Sequence, residues 1–213
     1  MLVLEMVFRS QKAQHSEYFN LRMQRTLSWF KQALQLDARQ LDLKFISLWV
    51  AFKAMCARET DAEETTLQPF LDQMFQHDAP HRIEYMIWSR FPQAIRFLLQ
   101  SPYAFQSYWD YQNQKISKLA WQQAFERDQQ QWQQAWQEQD ALHILHRLFH
   151  CLQTLGQQLL QGGSSCHSSV NRTQLSEACS VLSGLLSGFM FILLENAQAL
   201  DQPQPFYPVV QFS

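Results

Sequence analysis

His143, His146 and His150 recur at steps of three and four residues. In a helix that spacing brings three imidazoles to one face, and Gln161 falls on the same face three turns further on. Imidazole can ligate a metal, exchange protons near neutral pH or, once protonated, attract a phosphate. A metal site asks for two or three such ligands plus a carboxylate or a ligand from a second helix. No H-E-x-x-H or comparable pattern supplies one, so no metal is assigned. The stripe therefore reads as a solvated or interface face. A cationic, pH-sensitive surface for a phosphate or a partner, with Arg147 in the same stretch, is the alternative.

Other clusters carry less. His77, Asp78 and His81 flank Pro80, an arrangement that fits a helix cap and turn. Glu63 and Glu64 pair two carboxylates in a polar stretch and read as solvated. There is no P-loop, no G-x-G-x-x-G and no G-x-S-x-G, and no cofactor is expected. The four cysteines, Cys56, Cys151, Cys166 and Cys179, form no C-x-x-C pair. They fit reduced thiols in a cytoplasmic protein better than a disulfide framework.

These groups need a scaffold, and composition says which kind. Hydrophobic residues make up 46% of the 213, enough for a real core and too many for a disordered chain. Only 5 glycines and 7 prolines leave little room for the turns of an all-β fold. A net charge of -2 provides no global basic field to draw in nucleic acid. The opening MLVLEMVFRSQK carries Glu5 within its apolar run and lacks a basic leader, so it does not read as a signal peptide. Val181 to Leu194 is apolar but short for a bilayer, which suits a buried helix and no membrane partner.

Periodicity supplies the elements. Phe19, Met23, Leu27, Phe30 and Leu34 mark one face of a helix from about Ser10 to Leu36. Leu41 to Glu59 carries a broad apolar band around Phe45, Trp49, Phe52 and Cys56, as a helix covered on several sides would. Residues 60–66 read as a loop. Short helices follow to Gln100, punctuated by Pro69, Pro80 and Pro92, and Ser101 is placed to cap one opened by Pro102. Trp121, Phe125, Trp132 and Trp136 form a stripe in a glutamine-rich helix, expected to pack on the core or a partner helix rather than to stack bases. Asp140 is placed to cap a helix through Gln161, ended by Gly162 and Gly163. A last helix starts near Asn171 or Thr173, and Gly184 with Gly188 would allow close packing along it. The tail QPQPFYPVV cannot be helical. The expectation is one all-α domain, 1–213. It is a bundle of about four long helices with shorter ones inserted, its core spanning about 10–197, and an extended tail over 198–213.

Two stretches resemble the HEPN superfamily, specifically its Apea-like bacterial branch. Trp49-Val50-Ala51-Phe52-Lys53-Ala54 resembles that branch's W-x-A-F-N-A helix, with Lys53 where asparagine is usual. Gln158, Gly162, Gly163, Ser168, Ser169, Val170, Asn171, Arg172 and Gln174 match its R-N-Q-x-x-H-G-G stretch and the S-S-V-N-R-x-Q loop end. Tyr207 to Val210 matches its usual close. The resemblance runs from about Leu27 to Val210 with the motifs in order.

The resemblance implies a helical bundle that dimerises and, in many members, a metal-independent endoribonuclease of toxin–antitoxin or phage-defence systems. There an Arg and a His, spaced R-x4–6-H, promote attack of a ribose 2′-hydroxyl on the adjacent phosphate. In this chain the Arg falls on Gly156, the next Asn on Gln157 and the His on Gln161. Glycine has no charge to hold phosphate, and glutamine does not titrate near neutrality. Loss of a general acid–base group alone costs roughly 10²–10⁴-fold. The expectation is a HEPN-like pseudoenzyme, a homodimer that binds RNA, nucleotide or a protein without cutting. Candidate binding residues are Gln157, Gln158, Gly162, Gly163, Asn171, Arg172, His143, His146, His150 and Arg147. The alternatives are a ribonuclease using relocated histidine and arginine residues, or a helical protein-interaction scaffold. Asn171 and Arg172 also have purely structural roles open to them, as helix cap and loop tie.

Overall fold

The computed structural model describes residues 2–56, 67–169, 171–201 and Tyr207. Every regular element among them is helical. The first helix, α1 (Leu2–Gln11), buries Leu4 and Phe8, four residues apart. The core therefore begins earlier than residue 10. A 3₁₀ turn over Lys12–Gln14 follows, and α2 (Glu17–Gln35) starts afresh. The single helix expected from Ser10 is broken because Ser16 caps a new one. Its Oγ accepts from Phe19 N at 3.1 Å and donates to Asp201 Oδ1 at 2.9 Å. Phe19, Met23, Leu27 and Phe30 are buried as expected, but Leu34 is 45% exposed and Ala33 takes the buried place in that last turn.

α3 (Leu41–Cys56) is apolar on nearly every side, and it packs against α2, α9 and α10. Residues 57–66, with the loop and the Glu63–Glu64 pair, lie outside the described residues. α4 (Leu67–Gln76) keeps Pro69 in its first turn, where no intrahelical donor is missed. α5 (Arg82–Tyr85) and a π turn over Met86–Arg90 lead into α6 (Pro92–Gln100). Asp78 Oδ2 accepts from Ile83 N at 2.6 Å, so the His77–His81 cluster is a cap and turn, with Asp78 as the capping group. Ser101 does not cap. Its Oγ is buried without a partner among the described residues, and Pro102 opens a single 3₁₀ turn, Pro102–Ala104.

α7 (Gln106–Gln112) is followed by α8 (Lys118–Gln137), α9 (Ala141–Leu160) and α10 (Arg172–Glu195). Five helices among the described residues reach sixteen residues or more, since α8 joins the four expected. Phe52 of α3, Phe70 of α4, Phe149 of α9 and Phe189 of α10 meet in the centre. Ring centroids lie 4.7 Å apart for Phe52–Phe149 and 5.8 Å for Phe149–Phe189. α10 is 24 residues long, longer than its apolar run suggested, and long and apolar enough to cross a membrane. Yet 67% of its most apolar window is buried inside the protein, as befits the core helix of a bundle. Gly184 makes room there: a Cβ at that position would stand 2.5 Å from Phe91 Cε2.

Of the tail, residues 198–201 and Tyr207 are described. Arg25 Nη1 donates to Tyr207 O at 2.6 Å. The expected extended course of 198–213 does not hold at its start, where Ala199 N and Leu200 N donate to Asn196 O in a turn that buries Leu200. Residues 202–206 and 208–213 lie outside the described residues.

Candidate functional site

α9 carries most of the candidate residues, and its ends are fixed locally. Asp140 Oδ1 accepts from His143 N at 3.0 Å, capping the start. At the far end Gly162 adopts φ +72, Gly163 N donates to Gln158 O at 2.7 Å and Gly162 N to Leu159 O at 3.2 Å. That pair of bonds is a Schellman closure, which needs the left-handed residue glycine supplies. The two glycines thus serve the helix end, with no side chain to offer a ligand.

The two motif positions point apart. Gly156 is buried against Trp49, and a Cβ there would lie 3.2 Å from the indole Nε1. Gln161 is exposed beyond the end of the helix. Five residues subtend about 140° on a helix of 3.6 residues per turn, so the pair does not share a face. Gln158 is engaged elsewhere, its Nε2 donating to Tyr103 O at 2.7 Å. Neither position holds a proton carrier or a phosphate clamp.

One turn earlier the helix lines a cleft of about 420 Å³. Arg147, His150, Gln153, Thr154 and Gln157 face it from α9, opposite Phe105 and Asp128. Arg147 is a buried cation that the structure satisfies internally. Its Nε and Nη2 grip Asp128 in a fork, the Nη2–Oδ2 distance being 2.7 Å. Nη1 lies 2.7 Å from Cys151 Sγ, and the guanidinium sits 5.3 Å from the Phe105 ring centre. Burial works to lower the Arg147 pKa, and Cys151 and Asp128 more than offset it, so the value rises above the ordinary one. Burial pushes the Cys151 thiol up. The cleft therefore presents amides, a hydroxyl and one imidazole around a cation already neutralised by its partner.

The histidines do not converge. His146 Nε2 stands 2.8 Å from Asp72 Oδ1 of α4. His150 faces Gln68 at 3.4 Å, and His143 is exposed. The aromatic stripe of α8 turns inward. Trp132 is buried, Trp136 meets Trp88 edge-on at 4.9 Å with Arg96 4.5 Å above its ring, and Trp121 stacks on Tyr111 at 6.0 Å. Trp132 serves the core, while Trp121, Phe125 and Trp136 are half-buried against neighbouring rings.

A second constellation sits at the loop between α9 and α10. Asn171 occupies the N-cap position of α10 but its side chain makes no capping bond, and its Oδ1 is buried without a partner among the described residues. The expected cap is not formed, because φ −116 and ψ 22 hold Asn171 away from the extended backbone of a capping residue. Arg172 does tie the loop down: its Nη2 donates to Asp42 Oδ2 at 2.7 Å. Asp42 also accepts from His167 N at 3.2 Å. Sequence reasoning missed Asp42, paired across 130 residues, and Asp128, paired with the next helix. No protein-family model, no curated protein and no solved structure matches this chain.

Proposed function

We propose that the chain is a HEPN-like bundle protein of a bacterial defence or toxin–antitoxin type system that binds RNA, nucleotide or a protein without cutting RNA. One observation carries the reading. The helix end that resembles the ribonuclease motif offers Gly156 under an indole and Gln161 in solvent, with no acid, base or phosphate cation between them. The nearby cations support it. Arg147 is forked to Asp128 and Arg172 is held by Asp42, so neither is poised over an open phosphate site. The protein is cytoplasmic and dimeric on this reading, and the cleft beside Gln153 and Gln157 is where a polar ligand would enter.

Arg147 and His150 share that cleft, which favours one second reading: a metal-independent ribonuclease with relocated residues. Both readings meet one experiment. Purified protein, its His150→Ala variant and the double variant Gly156→Arg with Gln161→His are incubated with mixed cellular RNA in EDTA. Circular dichroism checks that each variant is folded. The proposal expects no cutting by the natural protein or by His150→Ala, and none by the double variant, whose two positions point apart. Cutting by the natural protein that His150→Ala abolishes overturns it in favour of the second reading.

A further inference from the structure

Asp42, Cys166 and His167 each offer one ligand atom, and these atoms lie within 4.8 Å of one another. Asp42 stands in the first turn of α3 and is 5% exposed. Cys166 and His167 are exposed neighbours in the loop before α10. His167 holds φ 61, a left-handed conformation uncommon outside glycine, and its backbone N–H donates to the Asp42 carboxylate. The loop is thus folded over Asp42 by its backbone, with thiol and imidazole brought alongside.

We propose that Asp42, Cys166 and His167 form a zinc site with one open coordination position. The ligand chemistry selects the metal. Thiolate disfavours magnesium and calcium, whereas one sulfur, one imidazole nitrogen and one carboxylate oxygen suit zinc. Three protein ligands leave a fourth tetrahedral position for water or a bound anion. Bonds of about 2.0–2.3 Å at tetrahedral angles set ligand atoms roughly 3.5 Å apart. The cluster must therefore close by about an ångström. Cys166 and His167 are exposed loop side chains, while Asp42 is fixed in a helix.

Arg172 is the partner with which a metal would compete. A carboxylate as buried as Asp42 needs a counter-charge. Arg172 Nη2 supplies it at 2.7 Å and lies 3.3 Å from His167 Nδ1. Guanidinium and zinc are alternative partners for one carboxylate, so metal entry displaces or shares the arginine contact. Asp42, Cys166 and His167 are not among the residues that carry the HEPN resemblance, so the site stands whether or not that reading holds.

The test is a cobalt(II) titration of the untagged full chain, followed by displacement with zinc. The expected result is one cobalt per chain, a thiolate-to-cobalt charge-transfer band in the near ultraviolet, and loss of that band on adding zinc. Cys166→Ser should remove the band, and His167→Ala should weaken binding about tenfold or more. Both changes are at exposed positions, so the variants fold, unlike a change at buried Asp42. No band in the natural protein, or an unchanged band in Cys166→Ser, overturns the site.

Discussion

Trp49 fills the space that a side chain at Gly156 would take, its indole Nε1 3.2 Å from where a Cβ would stand. The indole is itself held by Phe45, stacked at 6.3 Å, and by Phe52 at 5.3 Å. It cannot retreat without moving both. Alanine is a better helix former than glycine by about 1 kcal/mol. The crowding should reverse that advantage. Gly156→Ala is expected to lower stability by roughly 1 kcal/mol, and the larger, charged Gly156→Arg by more. Urea midpoints at constant m decide it. A Gly156→Ala protein more stable than the natural one would show that the indole has room to yield.

The Arg147–Asp128 fork joins α9 to α8 with both side chains largely out of water, 10% and 15% exposed. Removing one partner leaves the other as a buried charge. Asp128→Ala should therefore cost about 3–5 kcal/mol. Replacing both, with Arg147→Met added, should cost less than Asp128→Ala alone, since the methionine fits the same space without a charge. A double-mutant cycle from chemical denaturation measures the coupling. Strictly additive losses would mean that the fork contributes nothing beyond packing.

What the sequence made legible follows the range of the interaction. Asp140 as a cap and Gly162 as a helix stop depend on bonds within a few residues, and both stand as read. The core faces of α3, α9 and α10 were legible because apolar spacing marks a helix wherever it later packs. The break at Ser16 was not, because the apolar spacing runs on across it and its second bond reaches Asp201, 185 residues away. Asn171 has the residue type of a cap yet makes no capping bond, since its backbone is set by the loop rather than by the helix. The candidate site was the least legible part. Arg147 finds Asp128 only once α8 and α9 pack, and His167 finds Asp42 across 125 residues. No spacing rule along the chain reports such pairs.

Thiol chemistry separates the cysteines. Cys56, Cys151 and Cys179 are buried and Cys166 is exposed. A thiol reagent at pH 8 should modify Cys166 rapidly and the other three only at the rate of unfolding. Cys166→Ser should remove the fast phase entirely. A second fast thiol in the native protein would contradict the packing of α3, α9 or α10.

Cys179 also sets a limit at high pH. Burial pushes its thiol up from 9.0 to about 12, with Lys44 lowering and Asp42 raising it further. The folded protein therefore holds this proton more tightly than the unfolded chain. The stability contributed is fully present below pH 9.0 and is lost as the pH climbs towards about 12. Unfolding free energy measured across that window should fall more steeply in the natural protein than in Cys179→Ala. The variant itself should be slightly less stable at neutral pH, where the lost sulfur only leaves a small cavity. Parallel curves for the two proteins above pH 9.0 would show that Cys179 loses its proton as readily folded as unfolded, and that solvent reaches the contact between α3 and α10.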